Sequence, residues 1–184
     1  MKKTFLTLVM VIFAITSFAQ DENPVIRVPN GYQGFLEESN CWHFDKNMHA
    51  TIQLSTTHGF YFNDRFYAGI GVGYEFKSDY FLMPFYANVR YVFLNTKAVS
   101  PIVSLRLGSF ISDKMGAYGD LAFGVRFASK RDLAISVLVA GTYYNKLKYN
   151  HYDHYQDAQG YWHSDYVEGK ISPSGVSLRV GIEW

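Results

Sequence analysis

Apolar and polar residues alternate with a period of two along most of the chain after residue 30. At the C-terminal end, one face would carry Val176, Leu178, Val180, Ile182 and Trp184, and the other Ser177, Arg179, Gly181 and Glu183. Because successive side chains of a β-strand point to opposite faces, this pattern predicts a strand with one apolar and one polar face. Similar alternation occurs in residues 51–55, 66–76, 85–93, 103–108, 121–128 and 133–140, and less regularly in 31–38. The pattern predicts eight strands and no helix.

The predicted strands and their connections fit a membrane-spanning barrel. Most strands are about 9–11 residues long, the length that a tilted strand needs to cross a bilayer. One set of connections comprises Gly59–Arg65, Asn95–Ser100 and Lys130–Asp132, and the other comprises Ser39–Asn47, Lys77–Asp79, Asp113–Gly119 and the long Asn150–Gly169. An even number of strands places both termini on the periplasmic side, so the second set would be extracellular. The predicted fold is therefore an all-β, eight-stranded, antiparallel up-and-down transmembrane β-barrel.

The composition of the two predicted faces indicates that the apolar face meets lipid. Charged residues make up only 18% of the chain, and the polar face consists mostly of small residues with single Arg or Glu side chains. A soluble barrel with an apolar interior would instead need a surface rich in charged residues. Aromatic residues gather near one set of strand ends (Phe60, Tyr61, Phe62, Tyr91, Phe93, Phe127 and Trp184) and near the other (Tyr74, Phe76, Tyr80, Phe81, Phe85 and Tyr143). Two such belts are typical of the girdles at the two membrane interfaces.

The overall composition excludes several other classes of protein. A mean hydropathy of −0.08 is too low for a helical membrane protein. An apolar content of 48% together with low charge excludes a disordered chain. A net charge of +1 does not favour nucleic-acid binding. The single cysteine, Cys41, cannot form an intrachain disulfide, and we expect it to be an unpaired thiol in a loop.

The first residues have the features of a secretory signal peptide. Lys2 and Lys3 precede a short apolar run, and Ser17-Phe18-Ala19 offers small residues at the two positions that a signal peptidase reads. Polar residues follow at once, which favours cleavage after Ala19 over a retained membrane anchor. We therefore expect a signal peptide at 1–19, a short N-terminal segment at 20–30 and the barrel domain at 31–184.

Several motifs, taken in their order along the chain, resemble the small outer-membrane β-barrel domain family of Gram-negative bacteria. They are Gly31-Tyr32-Gln33-Gly34-Phe35, Ser55-Thr56-Thr57-His58-Gly59 with Asn63, Gly69-Ile70-Gly71-Val72-Gly73, Gly124-Val125-Arg126-Phe127 and the closing aromatic strand. The resemblance covers residues 31–184 and implies a barrel surrounded by lipid in the bacterial outer membrane. Trp184 resembles the terminal signal read by the barrel-assembly machinery, which would be a partner during biogenesis. The family implies no catalytic residues.

Charged residues on the predicted polar faces form the first candidate site. Arg90, Arg106, Arg126, Arg179, Glu75 and Glu183 would point into the lumen, with Glu37 as a further member. Buried charges must be paired, and the planar fork of arginine suits carboxylates. We expect a structural plug of ion pairs, because eight strands enclose a space just wide enough for side chains. A gated or anion-selective pore is the alternative interpretation.

The long last connection is the second candidate site. It is rich in aromatic residues and histidines: Tyr149, His151, Tyr152, His154, Tyr155, Tyr161, Trp162, His163 and Tyr166. Residues 157–160 have turn composition, so the last two strands are expected to continue as a protruding hairpin. Such a surface suits an extracellular glycan or protein, since Tyr and Trp supply large contact area at low entropic cost. The alternatives are an exposed loop without a ligand and a metal site at His151, His154 and Asp153 or Asp157, whose spacing is not diagnostic of a metal.

The function that these features predict is that of an outer-membrane protein with a plugged polar lumen and a structural or surface-binding role through its extracellular loops. The main alternative is a small-solute, porin-like channel, followed by a lipid A-modifying enzyme. His49, His151 and the run His163-Ser164-Asp165 would lie near the outer rim, but adjacent residues cannot form a catalytic triad from spacing alone. We therefore expect no enzymatic activity, no cofactor and no bound metal. We also expect the barrel to be a monomer.

Overall fold

The computed structural model describes residues 31–45, 48–76, 81–94, 98–111, 116–128, 133–156 and 161–184. The predicted signal peptide (1–19), the segment 20–30 and Tyr80 of the predicted aromatic belt lie outside these residues. The strands are β1 (Gly31–Asp45), β2 (Met48–Tyr61), β3 (Phe66–Phe76), β4 (Phe81–Leu82), β5 (Pro84–Val92), β6 (Val99–Phe110), β7 (Ala117–Ala128), β8 (Ala134–Asn145), β9 (Leu147–Gln156), β10 (Trp162–Ile171) and β11 (Ser174–Glu183). Within the described ranges, no helix has the length and apolar character needed to cross a membrane.

Most of the strands close into a barrel. They neighbour one another in the order β2, β1, β11, β8, β7, β6, β5 and β3, and β2 also pairs with β3. The short β4 pairs with β3, as β5 does, and precedes β5 across Met83, so the two form one strand of the barrel. All of these pairings are antiparallel. The predicted all-β, eight-stranded antiparallel barrel is confirmed; we call β1, β2, β3, β4–β5, β6, β7, β8 and β11 the wall strands.

Two further strands leave the wall at one end of the barrel. β9 and β10 form a separate two-stranded sheet, which we call the hairpin. β9 follows β8 across Lys146, which has a left-handed φ of 57°, and β10 precedes β11. The hairpin thus continues two adjacent wall strands, as the sequence predicted. We call this the hairpin end of the barrel, and the end with Gly31 and Trp184 the terminal end.

The first wall strand is longer than the sequence predicted. Residues Ser39–Asn47 were expected to form a loop, but β1 continues to Asp45 and β2 begins at Met48. The prediction is wrong here because Ser39 points inward and Asn40 outward, so polar residues on both faces hide the alternation. The expectation that Cys41 is a loop thiol is also wrong, since this free thiol is buried in β1. Its Sγ lies 3.4 Å from the Thr142 hydroxyl.

Two other predicted connections also contain strand. β7 begins at Ala117, inside the connection predicted for Asp113–Gly119. Most of the connection predicted for Asn150–Gly169 belongs to β9 and β10. At the start of β7, the small residues Ala117 and Gly119 alternate with Tyr118, which is buried in the barrel, so the polarity of the sequence does not mark where this strand begins.

The two faces of the wall strands differ sharply in character. Most outward side chains are apolar and many are large, and Ile70, Phe123 and Leu107 are 59%, 58% and 57% exposed. In a water-soluble protein, residues of this kind would be buried. An exterior that exposes them is therefore the surface of a barrel that spans a membrane. One member of the predicted aromatic belts is misplaced: Tyr61 is buried and points into the barrel, because its parity on β2 is that of Thr57 rather than that of Phe60.

The interior is packed in layers along the barrel axis. An apolar cluster fills the terminal end: Phe35, Tyr61, Tyr67, Val92, Ile102, Ala122, Leu138 and Ala140. A second, aromatic cluster fills the hairpin end: Met48, Leu82, Tyr86, Phe110, Tyr118, Tyr144 and Leu147. Buried charged side chains lie within and between these clusters. The barrel is therefore filled by side chains, as expected for eight strands.

Candidate functional site in the barrel interior

All seven charged residues that the sequence assigned to the lumen point into the barrel. These are Glu37, Glu75, Arg90, Arg106, Arg126, Arg179 and Glu183, and each is at most 3% exposed. Their positions follow from alternation, because each occupies the inward parity of its strand. They do not form one continuous group: they divide into a central network, a pair at the terminal end and a cluster at the hairpin end.

The central network is built around Glu37 on β1. Its Oε2 accepts a hydrogen bond from Arg90 Nη2 at 2.5 Å and another from Arg106 Nη2. Arg90 on β5 also lies over the ring of Phe35, with its Cζ 3.8 Å from the ring centroid. Arg106 on β6 lies 4.7 Å from the ring centroid of Tyr86. One carboxylate thus neutralises parts of two guanidinium groups, and aromatic faces cover the remainder.

A further acidic residue, Asp120 on β7, extends this network. Its Oδ2 accepts a hydrogen bond from Arg179 Nη2 at 2.7 Å and one from the hydroxyl of Tyr118, and it lies 4.0 Å from Arg106 Nη1. Arg179 on β11 in turn donates from Nε to the hydroxyl of Ser39 at 3.3 Å. The sequence interpretation missed Asp120, although its parity matches that of inward-facing Ala122. It was overlooked because the strand was expected to begin after the predicted Asp113–Gly119 connection.

The central network therefore links the wall across its interior. It runs Arg90–Glu37–Arg106–Asp120–Arg179, and these residues come from β5, β1, β6, β7 and β11. Three guanidinium groups face two carboxylates, and all five side chains are at most 1% exposed. The pairing is incomplete, because Glu37 Oε1, Asp120 Oδ1 and some guanidinium nitrogens of the three arginines have no hydrogen-bond partner within the described residues. The arrangement ties five wall strands together at the middle of the barrel.

The pair at the terminal end joins Arg126 on β7 to Glu183 on β11. Arg126 donates from Nε to Oε2 at 2.7 Å and from Nη2 to Oε1 at 2.9 Å. This two-pronged geometry matches the fork of a guanidinium to the two oxygens of a carboxylate. The two strands are not neighbours, because β8 lies between them. The pair therefore bridges the interior rather than reinforcing one strand pairing.

Glu75 on β3 is the centre of the cluster at the hairpin end. Its Oε1 accepts a hydrogen bond from the Thr51 hydroxyl at 2.5 Å, and the Tyr144 hydroxyl lies 3.0 and 2.8 Å from its two oxygens. His43 Nε2 lies 3.1 Å from the Thr51 hydroxyl and 3.5 Å from Glu75 Oε1. The sequence interpretation named only Glu75 here. His43 was missed because it stood in the segment predicted to be a loop.

The second candidate site corresponds to the hairpin. Backbone pairing sets His151 opposite Val167, and His154 opposite Ser164. The side chains of Tyr149, His151, Tyr152, His154, Tyr155 and Tyr166 lie outside the described part of the structure, as do those of His49, Asp153 and Asp165 and the turn that contains Asp157. Tyr161, Trp162, His163 and Ser164 are exposed. Among the side chains that are described, no group of three His, Cys, Asp or Glu residues is arranged to hold a metal ion.

The C-terminal residue is held against the start of β1. Trp184 N donates to Gly34 O at 3.1 Å, and Gly34 N donates to Trp184 O at 3.0 Å. The indole lies over Gly34, where a Cβ atom would come within 2.8 Å of the ring. The ring of His58 meets the indole edge-on at 6.3 Å between ring centres. A side chain at position 34 would displace the indole, so glycine is needed there for this packing.

The comparisons with known proteins agree with the fold. No family model matches the chain, and no curated protein matches it. Among solved structures, Neisserial surface protein A (NspA) is 14% identical with a TM-score of 0.54, over 83% of this chain and 94% of that one. The N-terminal β-barrel domain of Pseudomonas aeruginosa OprF is 12% identical with a TM-score of 0.48, over 85% of this chain and 100% of that one. At this level of identity, the likeness to NspA shows a shared fold.

Proposed function

We propose that this chain is a bacterial outer-membrane β-barrel with a closed lumen, which has a structural or surface-binding role through its extracellular hairpin end. Two features support the location. The exterior of the wall is apolar with aromatic residues near both ends, and every wall strand has a hydrogen-bonded neighbour on each side within the described residues. In a closed sheet, the backbone N–H and C=O groups of each strand form hydrogen bonds with the neighbouring strands. Such a sheet can cross lipid, where no water is present to form these bonds.

The central network is the observation that supports a closed lumen. Its five side chains come from five of the eight wall strands and meet in the middle of the interior. The aromatic cluster containing Tyr86, Phe110 and Tyr144 lies between this network and the hairpin end. A solute that passed through the lumen would have to separate ion pairs that are shielded from water. Separating such pairs costs on the order of several kcal/mol. This packing supports a plug over the alternative of a small-solute channel.

The topology supports an orientation of the barrel in the membrane. Both termini lie at one end because the number of wall strands is even. In barrels of the outer membrane this is the periplasmic end, and the longer connections are extracellular. The hairpin would then project from the cell surface, while the turn at Asn63–Asp64 would face the periplasm. At this turn, Arg65 N and Phe66 N donate hydrogen bonds to Asn63 Oδ1 at 2.9 and 2.7 Å. These two bonds are compatible with a short, tight connection.

An epitope inserted into two connections tests location and orientation together. One variant carries the epitope within residues 157–160, and the matched control carries it at the Asn63–Asp64 turn. We expect antibody to label intact cells that carry the first insertion, and to label the second only after the outer membrane is opened. The opposite pattern, or labelling of neither variant in an outer-membrane fraction, would contradict the proposal.

The surface-binding role rests on the hairpin. Tyr161 and Trp162 are 70% and 74% exposed, although both could bury large areas in a complex. Residues of this kind supply contact area to glycans and proteins at low entropic cost. We expect the purified protein to bind members of a glycan or surface-protein array, and a variant with Tyr161→Ser and Trp162→Ser to lose that binding. Equal binding by both proteins would exclude these two residues as the contact.

We propose a role without catalysis. His163 and Ser164 are adjacent in β10 and therefore point to opposite faces of the hairpin, which keeps them from acting as a base and its nucleophile. Assay of lipid A from cells that express the protein, compared with cells that do not, tests this proposal. A change in the acyl chains or phosphates of lipid A would contradict it.

A further inference from the structure

The hairpin brings two acidic residues from different strands to the same register position. Asp153 on β9 is paired with Asp165 on β10 across the antiparallel ladder. Residues opposite each other in such a ladder share a face, and their Cβ atoms are about 4.5–5.5 Å apart. Like charges directly opposite each other destabilise a sheet, and a sheet of two strands has little stability to lose in water. A cation between the two carboxylates would replace this repulsion with attraction.

A histidine precedes each of these aspartates by two residues. β9 contains His151 and Asp153 in this arrangement, and β10 contains His163 and Asp165. Because residues two apart on a strand lie on the same face, both histidines share the face of the two aspartates. The two strands run in opposite directions, so a local two-fold axis between the aspartates relates the two His-x-Asp motifs. We call the face that carries these four residues the His–Asp face.

The strand register divides the metal site that the sequence suggested as an alternative. That site combined His151 and His154 with Asp153 or Asp157. His154 is three residues from His151 and is paired with Ser164, so the two histidines lie on opposite faces of the hairpin. Asp157 lies outside the described residues. Backbone pairing instead supplies metal-binding residues from the second strand, which spacing along one strand could not reveal.

Distances along the strands determine which of these residues can share one ion. A strand rises about 3.4 Å per residue, so each histidine is about 7 Å along the strand from the aspartate of its own motif. This spacing, with metal–ligand bonds of about 2.0–2.2 Å, allows Asp153, Asp165 and one histidine to bind a common ion. His163 is paired with Tyr155, which is four residues from His151. The two histidines are therefore about 14 Å apart along the strands, too far for one ion to bind both.

The types of ligand on the His–Asp face select the class of ion. Imidazole nitrogen together with carboxylate oxygen suits zinc, copper and nickel, whereas calcium and magnesium prefer oxygen ligands alone. Two carboxylates also supply two negative charges, which match the charge of a divalent ion. Three protein ligands leave a coordination position for water, which requires a site that solvent can reach. His163 is exposed, as such a site requires.

We propose that the His–Asp face binds one divalent transition-metal ion, which Asp153 and Asp165 hold together with either His151 or His163. The ion joins β9 to β10 and so stabilises a sheet that has only two strands. This inference goes beyond the surface-binding role and replaces the expectation that no metal is bound. It depends on the register of β9 and β10, but not on the orientation of the barrel in the membrane or on a closed lumen.

Calorimetric titration with zinc tests this inference. The untagged protein is refolded in detergent micelles, freed of metal with a chelator and titrated with zinc chloride at neutral pH. We expect saturable binding of a single zinc ion per chain at micromolar zinc. The Asp153→Asn, Asp165→Asn variant should raise the zinc dissociation constant at least about tenfold. The matched control, His154→Ala with Glu168→Gln, removes an imidazole and a carboxylate from the opposite face and should bind zinc as the wild type does.

Histidine variants test the two equivalent sets of ligands. His151→Ala or His163→Ala alone leaves one complete set and should cost little affinity, whereas the double variant should raise the zinc dissociation constant at least about tenfold. Pulsed electron paramagnetic resonance of the copper-loaded wild type should detect one bound imidazole per ion.

Several results would overturn the inference. They are the absence of zinc binding by the folded wild type, wild-type affinity in the double aspartate variant, an equal loss of affinity in the opposite-face control, or a single histidine variant as weak as the double one. Two imidazoles on one copper ion would also overturn it, because the register keeps the two histidines apart. Heat-dependent gel migration verifies that each variant is folded, and a wild type that lacks this migration would instead contradict the barrel.

Discussion

The wall and the hairpin are continuous in the chain but are stabilised differently. Each wall strand is hydrogen-bonded on both sides and has an apolar outer face and a packed inner face. β9 and β10 are paired with each other in a sheet of two strands. A two-stranded hairpin is marginally stable by itself in water, whereas a closed barrel has no weak edge. We therefore expect the wall and its charged interior to determine stability, and the hairpin to contribute little to it.

Loss of Glu37 is expected to have the largest effect on the wall. Glu37→Leu leaves the guanidinium groups of Arg90 and Arg106 without their shared carboxylate. Breaking a buried pair in this way should lower the free energy of unfolding by about 3–5 kcal/mol. Urea unfolding in lipid vesicles, followed by tryptophan fluorescence, measures the change. The matched control is Glu38→Leu, the same substitution at the next residue, whose side chain points outward. This control should leave the free energy of unfolding unchanged or raise it. Equal losses in the two variants would contradict the distinction between the inner and outer faces.

The pair at the terminal end should have the next largest effect. Arg126→Leu leaves Glu183 buried without its two hydrogen bonds, and we expect a loss of about 3 kcal/mol, the lower end of the cost of breaking a buried pair. The double variant Arg126→Leu, Glu183→Leu removes both charges and should lose less than the sum of the single variants. A double-mutant cycle in the same unfolding assay measures this coupling. Simple additivity would show that the pair does not stabilise the wall.

The cluster at the hairpin end should contribute less. Tyr144→Phe removes one hydroxyl from Glu75, which keeps the hydrogen bond from Thr51. We expect a loss of about 1–2 kcal/mol, the usual cost of deleting one partner of a buried polar group. Tyr143→Phe, at the neighbouring outward position, is the matched control and should change stability by less than about 0.5 kcal/mol. A larger effect at Tyr143 than at Tyr144 would contradict the assigned facing of β8.

Shortening the hairpin should have the smallest effect. Replacing residues 149–168 with a short turn removes most of β9 and β10 but leaves every wall pairing in place. We expect the unfolding free energy to change by less than about 1 kcal/mol, and the heat-dependent gel shift to persist. A barrel that no longer folds after this deletion would show that the hairpin is part of the stable core, and the comparison of the two regions would fail.

Much of the wall could be predicted from the sequence because lipid imposes a strict alternation. Ile70, Leu121 and Val180 face lipid while Arg106 and Arg179 face inward, so the parity of each strand is visible in the residues themselves. The prediction failed in β1, where Ser39, Asn40, Cys41 and His43 place polar or small side chains on both faces. Alternation can be recognised only where the two faces of a strand differ in polarity. In this part of β1 the two faces do not differ clearly.

The sequence predicted which charged residues point into the barrel better than it predicted which of them form ion pairs with each other. Inward parity selected Arg90, Arg106 and Glu37, but contacts such as Arg106–Glu37 join positions 69 residues apart in the sequence. Which charges meet depends on the stagger between neighbouring strands and on the rotamers of long side chains, neither of which alternation determines. Asp120 illustrates the same limit, since its role depends on Arg179 from a strand two positions away in the barrel.

Conductance in planar lipid bilayers tests the central claim most directly. The claim is that the Arg90–Glu37–Arg106–Asp120–Arg179 network and the aromatic cluster beside it close the lumen. The folded wild-type protein, verified by its heat-dependent gel migration, should show no large and stable conductance steps. Steady, porin-like steps from the wild-type protein would contradict this account and favour a small-solute channel.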